Sequence, residues 1–236
     1  MPSTTWTPRA VASEAFRLRR RLWRAVEAQH IASTLRLVAD AEEQLALERI
    51  LEASKPPVPP EAAKLHYLLS TPFRYPSPVG SRFRAPAEPG VWYGAEAVRT
   101  ACAELGFWRW RFLSDAAELD SLGPSPQTVF RAGIDSRAVD LTRAPFKHDQ
   151  ARWTHRADYS ATQQFAVVAR EANVGAIRYA SVRDPEHAGA VAVLRAASFK
   201  PVRPIEQVTW FLTVRRERVT WQREKEVLEF DATDWK

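Results

Sequence analysis

The stretch GSRFRAPAEPGVWYGAEAVRTACAELG, residues 80–106, decides how the middle of the chain folds. It carries Arg82, Tyr93 and Glu104, each eleven residues from the next. In one helix, eleven residues make about three turns, and the three side chains would share a face. Prolines and glycines interrupt the stretch, so no single helix contains it. A guanidinium, a phenol and a carboxylate must therefore come from separate elements if they meet at all.

The composition predicts a protein with one large domain, or one domain with an extension, because the chain has 236 residues and is 45% hydrophobic. The 34 Lys and Arg residues against 28 Asp and Glu give a net charge of +6, which favours anionic partners such as nucleotides, nucleic acid or an acidic protein. The single cysteine, Cys102, excludes a disulfide within the chain and fits a reducing cytoplasm. No apolar run reaches the roughly 18–20 residues that a membrane span needs. We expect a cytoplasmic protein without a membrane partner, with Cys102 packed in the core.

The first seventy residues are predicted to be mainly helical, with an N-terminal helical extension over 1–21. The predicted elements are a short basic helix over 8–20, a strand over 22–27, a helix capped by Ser33, the proline-rich segment KPPVPPE at 55–61 and a short helix over 62–70. The proline-rich segment ends the long helix and is either a domain linker or a stiff turn.

The remainder is predicted to be rich in strands. A strand over 90–94 precedes an amphipathic helix over 95–112, in which Trp108 and Trp110 are expected to pack and Glu104 borders the apolar stripe. The later predicted elements are strands over 128–134, 138–141, 176–181, 190–194, 207–216 and 218–224, and a helix over 159–173 with Asp158 as its N-cap. The fold class is therefore α+β, without alternating βαβ units.

Common catalytic and binding motifs are absent. The glycines form neither the G-x-G-x-x-G nor the G-x-x-x-x-G-K-[ST] pattern, so the sequence does not support a Rossmann or P-loop site. The histidines lack the H-E-x-x-H spacing, and aromatic residues do not alternate with basic ones along a strand. We therefore predict no metal, no resident cofactor and no direct nucleic-acid contact.

The Arg82, Tyr93 and Glu104 side chains can converge on one pocket if a strand ends at the tyrosine and a helix carries the glutamate. An arginine can bind a pyrophosphate, a tyrosine can stack on an aromatic base, and a carboxylate can stabilise positive charge on a sugar. This set suits cleavage of an N-glycosidic bond in a dinucleotide. From spacing alone, a surface arginine, a core tyrosine and a solvated glutamate remain the alternative.

The sequence resembles the RES-domain family, which is named for its Arg, Glu and Ser residues. The resemblance lies in four segments: GSRFR with Arg82, GVWYGA with Tyr93, RTACAELG with Glu104, and AIRYASVRDP with Ser181 and Arg183. Members of this family are toxins of bacterial toxin–antitoxin pairs and are similar in fold to ADP-ribosyltransferases.

A further arginine of the family, on its first strand, is matched by Arg24 in LWRAVE. Family members often have a tyrosine directly after it, but Ala25 stands there in this chain. The segment FRYP offers Arg74 and Tyr75 instead. Either arginine could therefore reach the ligand.

The resemblance covers residues 22–236 and implies an ADP-ribosyltransferase-like mixed β core with flanking helices. The long segment between the first two arginines resembles a subgroup with a helical insertion, here at about 28–70. That insertion could be a lid, an oligomer contact or a partner surface.

What the resemblance implies is consumption of NAD+ as a substrate, with inorganic phosphate as co-substrate. The nicotinamide–ribose bond breaks, and phosphate or water takes the ribose; the phosphate route gives ADP-ribose-1″-phosphate and nicotinamide. The implied roles are pyrophosphate or phosphate binding by Arg82 and Arg24, packing on the nicotinamide or its ribose by Tyr93, stabilisation of an oxocarbenium-like transition state by Glu104, hydrogen bonding to the nicotinamide–ribose side by Ser181, and loop ordering or phosphate contact by Arg183.

The implied partner is a cognate antitoxin with a helix-turn-helix DNA-binding domain, and the complex could contain more than one copy of the toxin. Two other functions stay open. The same pocket could serve a protein mono-ADP-ribosyltransferase, or the basic chain could be a nucleic-acid-binding or interaction protein without catalysis.

Overall fold

The computed structural model describes residues 6–28, 38–75 and 78–235, and these form a mixed sheet with flanking helices. The elements are α1 Pro8–Ser13, β1 Phe16–Glu27, α2 Ala41–Ala53, α3 Tyr67–Arg74, β2 Trp92–Ala95, α4 Val98–Asp115, β3 Ser121–Asp140, α5 Gln150–Trp153, α6 Ser160–Glu171, β4 Ala176–Ala180, β5 Gly189–Val193, β6 Glu206–Arg215, β7 Arg218–Arg223 and β8 Glu226–Asp231. The predicted α+β class is confirmed.

The sheet has the strand order β1-β2-β5-β4-β3-β6-β7-β8, and β1 also pairs along its whole length with β3. The first half of β3 is antiparallel to β6, whereas its last three residues run parallel to β4. A single pairing of Trp23 with Ala95 joins β1 to β2. The five strands β1, β2, β5, β4 and β3 therefore form a closed ring. This closure brings the end of β2 against the middle of β1, where the candidate site lies.

Three hydrophobic clusters hold the helices on the sheet. The α6 helix packs on β4 and β5, α3 packs on residues of β1 and β3, and α4 packs on β6, β7 and β8. Cys102 of α4 is fully buried, as predicted, and burial raises the pKa of its thiol. The α4 helix is therefore fixed along its length, which fixes the direction of the glutamate that it carries.

The helix predicted over 8–20 is wrong beyond Ser13, because Phe16–Glu27 form a strand. In this segment Leu18 and Leu22 are buried while the arginines between them are exposed, and the whole segment pairs with β3. Arg17 and Arg19 lie 2.7 Å and 3.3 Å from the carboxylate of Asp135 on β3, which adds cross-strand ion pairs.

The helical segment before residue 75 differs from the prediction in its details. Ser33 lies outside the described residues, and α2 begins after Asp40, whose Oδ1 accepts from two backbone amides of the first turn. The predicted helix at 62–70 is instead a 3-10 turn at Pro60–Ala62 followed by α3. The His66 side chain accepts from the Leu68 amide and so starts the new helix.

Two further boundaries are corrected. The strands predicted at 128–134 and 138–141 are parts of the single strand β3. Asp158 lies one residue before the N-cap of α6, and its Oδ1 accepts from the Ser160 amide. In the described parts of the chain, no helix is both long and apolar enough to cross a membrane.

Candidate active site

A cavity of about 220 Å³ opens between β1, β2 and α4, and residues of β4 and β5 complete its wall. We call it the Glu104 cavity. Its lining residues include Arg24, Tyr93, Glu104, Leu105, Trp108 and Tyr179. Two of the three residues that are spaced by eleven in the sequence therefore share one cavity, although they come from a strand and a helix.

The Glu104 carboxylate is held by Ser181, whose Oγ donates to Oε1 at 2.6 Å. The serine is fully buried, and the same Oγ accepts from the backbone amides of Arg183 and Asp184 at 3.2 and 3.1 Å. Because its acceptor positions are used by these amides, the hydroxyl hydrogen is directed to the carboxylate. Ser181 thus both caps a turn and orients Glu104.

Burial raises the pKa of Glu104 above its ordinary value. The hydrogen bond from Ser181 and the positive charges of Arg82 and Arg183 act in the opposite direction. These groups favour the ionised form, which is the form that can stabilise positive charge on a substrate.

The turn that carries Ser181 is fixed to its surroundings by side-chain hydrogen bonds. Thr100 of α4 donates to Asp184 at 2.7 Å, and His187 Nδ1 lies 2.9 Å from the carbonyl oxygen of Ser181. Trp235 Nε1 donates to the carbonyl oxygen of Arg183 at 2.7 Å. The serine therefore meets the glutamate in a preorganised geometry.

Tyr93 lines the cavity, and its hydroxyl is hydrogen-bonded within the protein. The hydroxyl lies 2.8 Å from Ser81 Oγ and accepts from the Phe83 amide at 3.0 Å, and burial raises the pKa of the phenol. Its carbonyl oxygen accepts from Arg24 Nη1 at 2.9 Å. The ring is thus available for packing on a substrate, and its hydroxyl is engaged by the protein.

Arg82 and Arg183 lie close behind the cavity rather than on its wall. Arg82 donates to the carbonyl oxygens of Trp153 and His155 at 2.9 and 3.1 Å, and its guanidinium lies 4.6 Å from the centre of the Tyr159 ring. Arg183 donates to the Tyr159 hydroxyl at 2.9 Å. Neither arginine has an ion pair within 4 Å among the described residues, so both leave positive charge beside Glu104.

The RES domain family model matches residues 58–222, more than two-thirds of the chain. This chain belongs to the RES-domain family. A chain of the M. tuberculosis MbcT–MbcA toxin–antitoxin complex, known from a crystal structure, is similar in fold, with a TM-score of 0.52. The two are 12% identical, and the similarity covers 86% of this chain and 90% of that one. A comparison with curated proteins finds no match.

Of the two arginines that could belong to the RES site, only Arg24 reaches the Glu104 cavity. Arg74 lies 2.8 Å from the Glu52 carboxylate and donates to the carbonyl oxygen of Pro56 at 2.6 Å. Tyr75 packs beside Arg74, with its ring centre 5.8 Å from the guanidinium. Arg74 thus connects α3 to α2, and neither it nor Tyr75 lines the cavity in this conformation.

The Glu104 cavity contains two side chains that were not predicted to lie there. Trp108, predicted to pack, is 53% exposed and lies on the cavity wall. Tyr179 is buried against Phe83, with ring centres 4.9 Å apart, and its hydroxyl has no hydrogen-bond partner among the described residues. The signal for Tyr179 was available, because it stands two residues before Ser181 and alternate strand residues face the same side.

Proposed function

We propose that this RES domain cleaves the nicotinamide–ribose bond of NAD+, with phosphate or water accepting the ADP-ribose group. The observation that carries the proposal is the Glu104 carboxylate, oriented by Ser181 in a cavity whose lining arginine, Arg24, has no ion-pair partner among the described residues. Membership of the RES-domain family supports it.

Cleavage of this bond develops positive charge on the ribose as neutral nicotinamide leaves. A fixed carboxylate stabilises that charge most strongly in the transition state, as in glycoside hydrolysis. Glu104 is suited to this role because Ser181 holds it and the nearby Arg82 favours its ionised form. The acceptor oxygen then forms the new bond to the ribose carbon. Water loses a proton to the solvent in this step, whereas phosphate can attack through an oxygen that carries no proton.

The anionic part of the substrate is assigned to Arg24. Its guanidinium lines the cavity, donates one hydrogen bond to the Tyr93 carbonyl, and has no ion pair among the described residues. A pyrophosphate supplies the charge-assisted hydrogen bonds that this group lacks. Tyr93 packs on the nicotinamide or its ribose in the same arrangement.

The direct test is incubation of the purified protein with NAD+, with and without inorganic phosphate, followed by mass analysis of the products. We expect nicotinamide with ADP-ribose-1″-phosphate if phosphate is the acceptor, and with ADP-ribose if water is. A control with an exposed substitution, Glu226→Gln, should behave as the wild type. Intact NAD+ under both conditions would refute the proposal.

A protein acceptor is the alternative use of the same cavity. Label from adenine-labelled NAD+ that remains on a protein after denaturation would identify a mono-ADP-ribosyltransferase. Label that appears only in small molecules identifies phosphorolysis or hydrolysis.

An enzyme that destroys NAD+ poisons its own cell, so we also propose that this chain is a toxin held inactive by an antitoxin. The fold similarity to a chain of a toxin–antitoxin complex supports this. The net charge of +6 and the arginines of the site favour an acidic segment or a C-terminal carboxylate as the inhibitory contact. Expression alone should stop growth as cellular NAD+ falls, and the neighbouring gene should restore it. Normal growth at constant NAD+ and high expression would exclude the toxin function.

A further inference from the structure

A second cavity, of about 130 Å³, lies between β1 and α3. We call it the α3 cavity. It is lined by Arg24, Val26 and Glu27 of β1 and by Tyr67, Leu68, Thr71 and Pro72 of α3. Arg24 lines this cavity as well as the Glu104 cavity, so the two cavities have one arginine in common. A ligand with two ends and an anionic centre could occupy both.

The shared arginine is suited to the centre of such a ligand. Its guanidinium lies 5.4 Å from the centre of the Trp92 ring, and its Nε is buried without a hydrogen-bond partner in the described structure. Burial lowers the pKa of Arg24 to about 10. The side chain therefore remains charged at neutral pH and has unused donors, which an anionic ligand can satisfy.

The α3 cavity has the chemistry of a purine nucleoside site. Tyr67 lines the cavity and is 49% exposed, and its ring centre lies 4.5 Å from that of His66, so an accessible aromatic side chain is available to a ligand. Leu68 and Pro72 supply apolar wall. Glu27, which Arg109 holds at 2.7 Å, offers carboxylate oxygens to sugar hydroxyls. Stacking on an aromatic ring is available to any base because every base has a π-face.

We propose that the α3 cavity binds the adenosine end of NAD+, with Arg24 on the pyrophosphate and the nicotinamide riboside end in the Glu104 cavity. This inference rests on the proposed function, and it adds the direction in which the dinucleotide lies. It also gives a role to α3, which forms part of the wall of the substrate site. The chain thus uses a helix before the Arg82 segment to recognise the half of the substrate that does not react.

The test measures binding of two half-ligands, ADP and nicotinamide mononucleotide, by calorimetry. Tyr67→Ala should weaken ADP binding roughly tenfold, a typical effect of losing one aromatic stacking partner, and should leave nicotinamide mononucleotide binding unchanged. Tyr67→Phe keeps the ring and should keep the affinity for ADP. Phe211→Ala is the matched control, because Phe211 is 50% exposed on β6 and lines neither cavity.

Three results would overturn the inference: no ADP binding by the wild type, unchanged ADP affinity in Tyr67→Ala, or equal loss of both half-ligands in that variant. Thermal melting of each variant checks that it is folded. NAD+ turnover is measured separately. A protein that binds ADP through Tyr67 but leaves NAD+ intact refutes the proposed reaction, whereas one that cleaves NAD+ with Tyr67-independent ADP binding refutes only the α3 cavity.

Discussion

Replacing Glu104 by glutamine is the sharpest perturbation of the site, because it removes one negative charge and keeps the side-chain shape. At an effective dielectric constant of about 20, unit charges about 4 Å apart attract with roughly 4 kcal/mol. Glutamine keeps part of this as a dipole interaction, and about 1.4 kcal/mol corresponds to a tenfold change in rate. We therefore expect Glu104→Gln to lower kcat for NAD+ cleavage by roughly 10²–10³-fold, in line with the loss of other preorganised electrostatic contacts.

The same substitution, which should lower kcat, should leave the stability of the fold unchanged or raise it. Burial raises the pKa of Glu104, so between the unfolded and the folded pKa the native state binds more protons than the unfolded state. The stability of the wild type therefore falls as the pH rises through this window, and it stays lower above the window. Glutamine does not titrate, so the variant should melt at or above the wild-type temperature at pH 7 and should lack this contribution to the pH dependence.

The assay follows nicotinamide release under saturating NAD+, with thermal melting of the same samples at several pH values. The control is Glu226→Gln, which changes an exposed carboxylate of β8. A folded Glu104→Gln protein with near wild-type turnover would remove this carboxylate from the chemistry. A large loss of melting temperature at pH 7 would instead mean that Glu104 stabilises the fold, contrary to the argument from burial.

The remaining predictions use other groups around the cavity. Arg82→Lys should lower kcat/KM for NAD+ at least tenfold, because lysine cannot replace the planar fork of donors; near wild-type kcat/KM would limit Arg82 to supplying positive potential. Ser181→Ala should move the acidic limb of the kcat/KM–pH profile to higher pH, because the hydrogen bond from Ser181 lowers the pKa of Glu104 and its removal lets that pKa rise; an unmoved limb would contradict this. Tyr179→Phe should leave the melting temperature unchanged, since the hydroxyl has no partner in the described structure, and should lower kcat/KM because the residue lines the cavity; unchanged kinetics would exclude contact of the hydroxyl with substrate. Gly90→Ala should lower the free energy of unfolding by about 1–3 kcal/mol, because an added Cβ would lie 1.9 Å from a backbone oxygen; an unchanged denaturation midpoint would mean that the backbone adapts.

The local parts of the fold could be predicted from the sequence. The strand that carries Tyr93 and the helix that carries Glu104 lie within three residues of their predicted bounds, although Gly94, which was predicted to end the strand, lies inside it. That Arg82, Tyr93 and Glu104 lie on separate elements followed from the prolines and glycines that interrupt residues 80–106. The spacing of eleven residues itself carried no geometric meaning, because Arg82 lies behind the cavity and not on its wall.

The parts that failed depend on pairing between distant segments. Residues 16–21 are rich in arginine and looked like the end of a basic helix, but pairing with β3 makes them a strand. Which of Arg24 and Arg74 reaches the cavity could be decided only from the tertiary structure, in which Arg74 forms an ion pair with Glu52 and Arg24 lines the cavity. Trp108 was assigned to packing by its helical position, yet the cavity removes the neighbours that would have covered it.

The contrast between two arginines of the sheet argues that the Glu104 cavity is built for a ligand. Arg178, on β4, is paired with Glu96 at 2.8 Å and with Asp140 at 3.1 Å, and these contacts raise its pKa. Arg24, on β1, has a lowered pKa, no ion pair and an unsatisfied Nε within the described structure. The fold can therefore supply counter-ions to an arginine in this sheet, and it leaves Arg24 without one in the cavity that the partly buried Glu104 also lines. Unsatisfied charge of this kind costs stability, and an anionic ligand that binds Arg24 while its cationic centre meets Glu104 removes both costs at once.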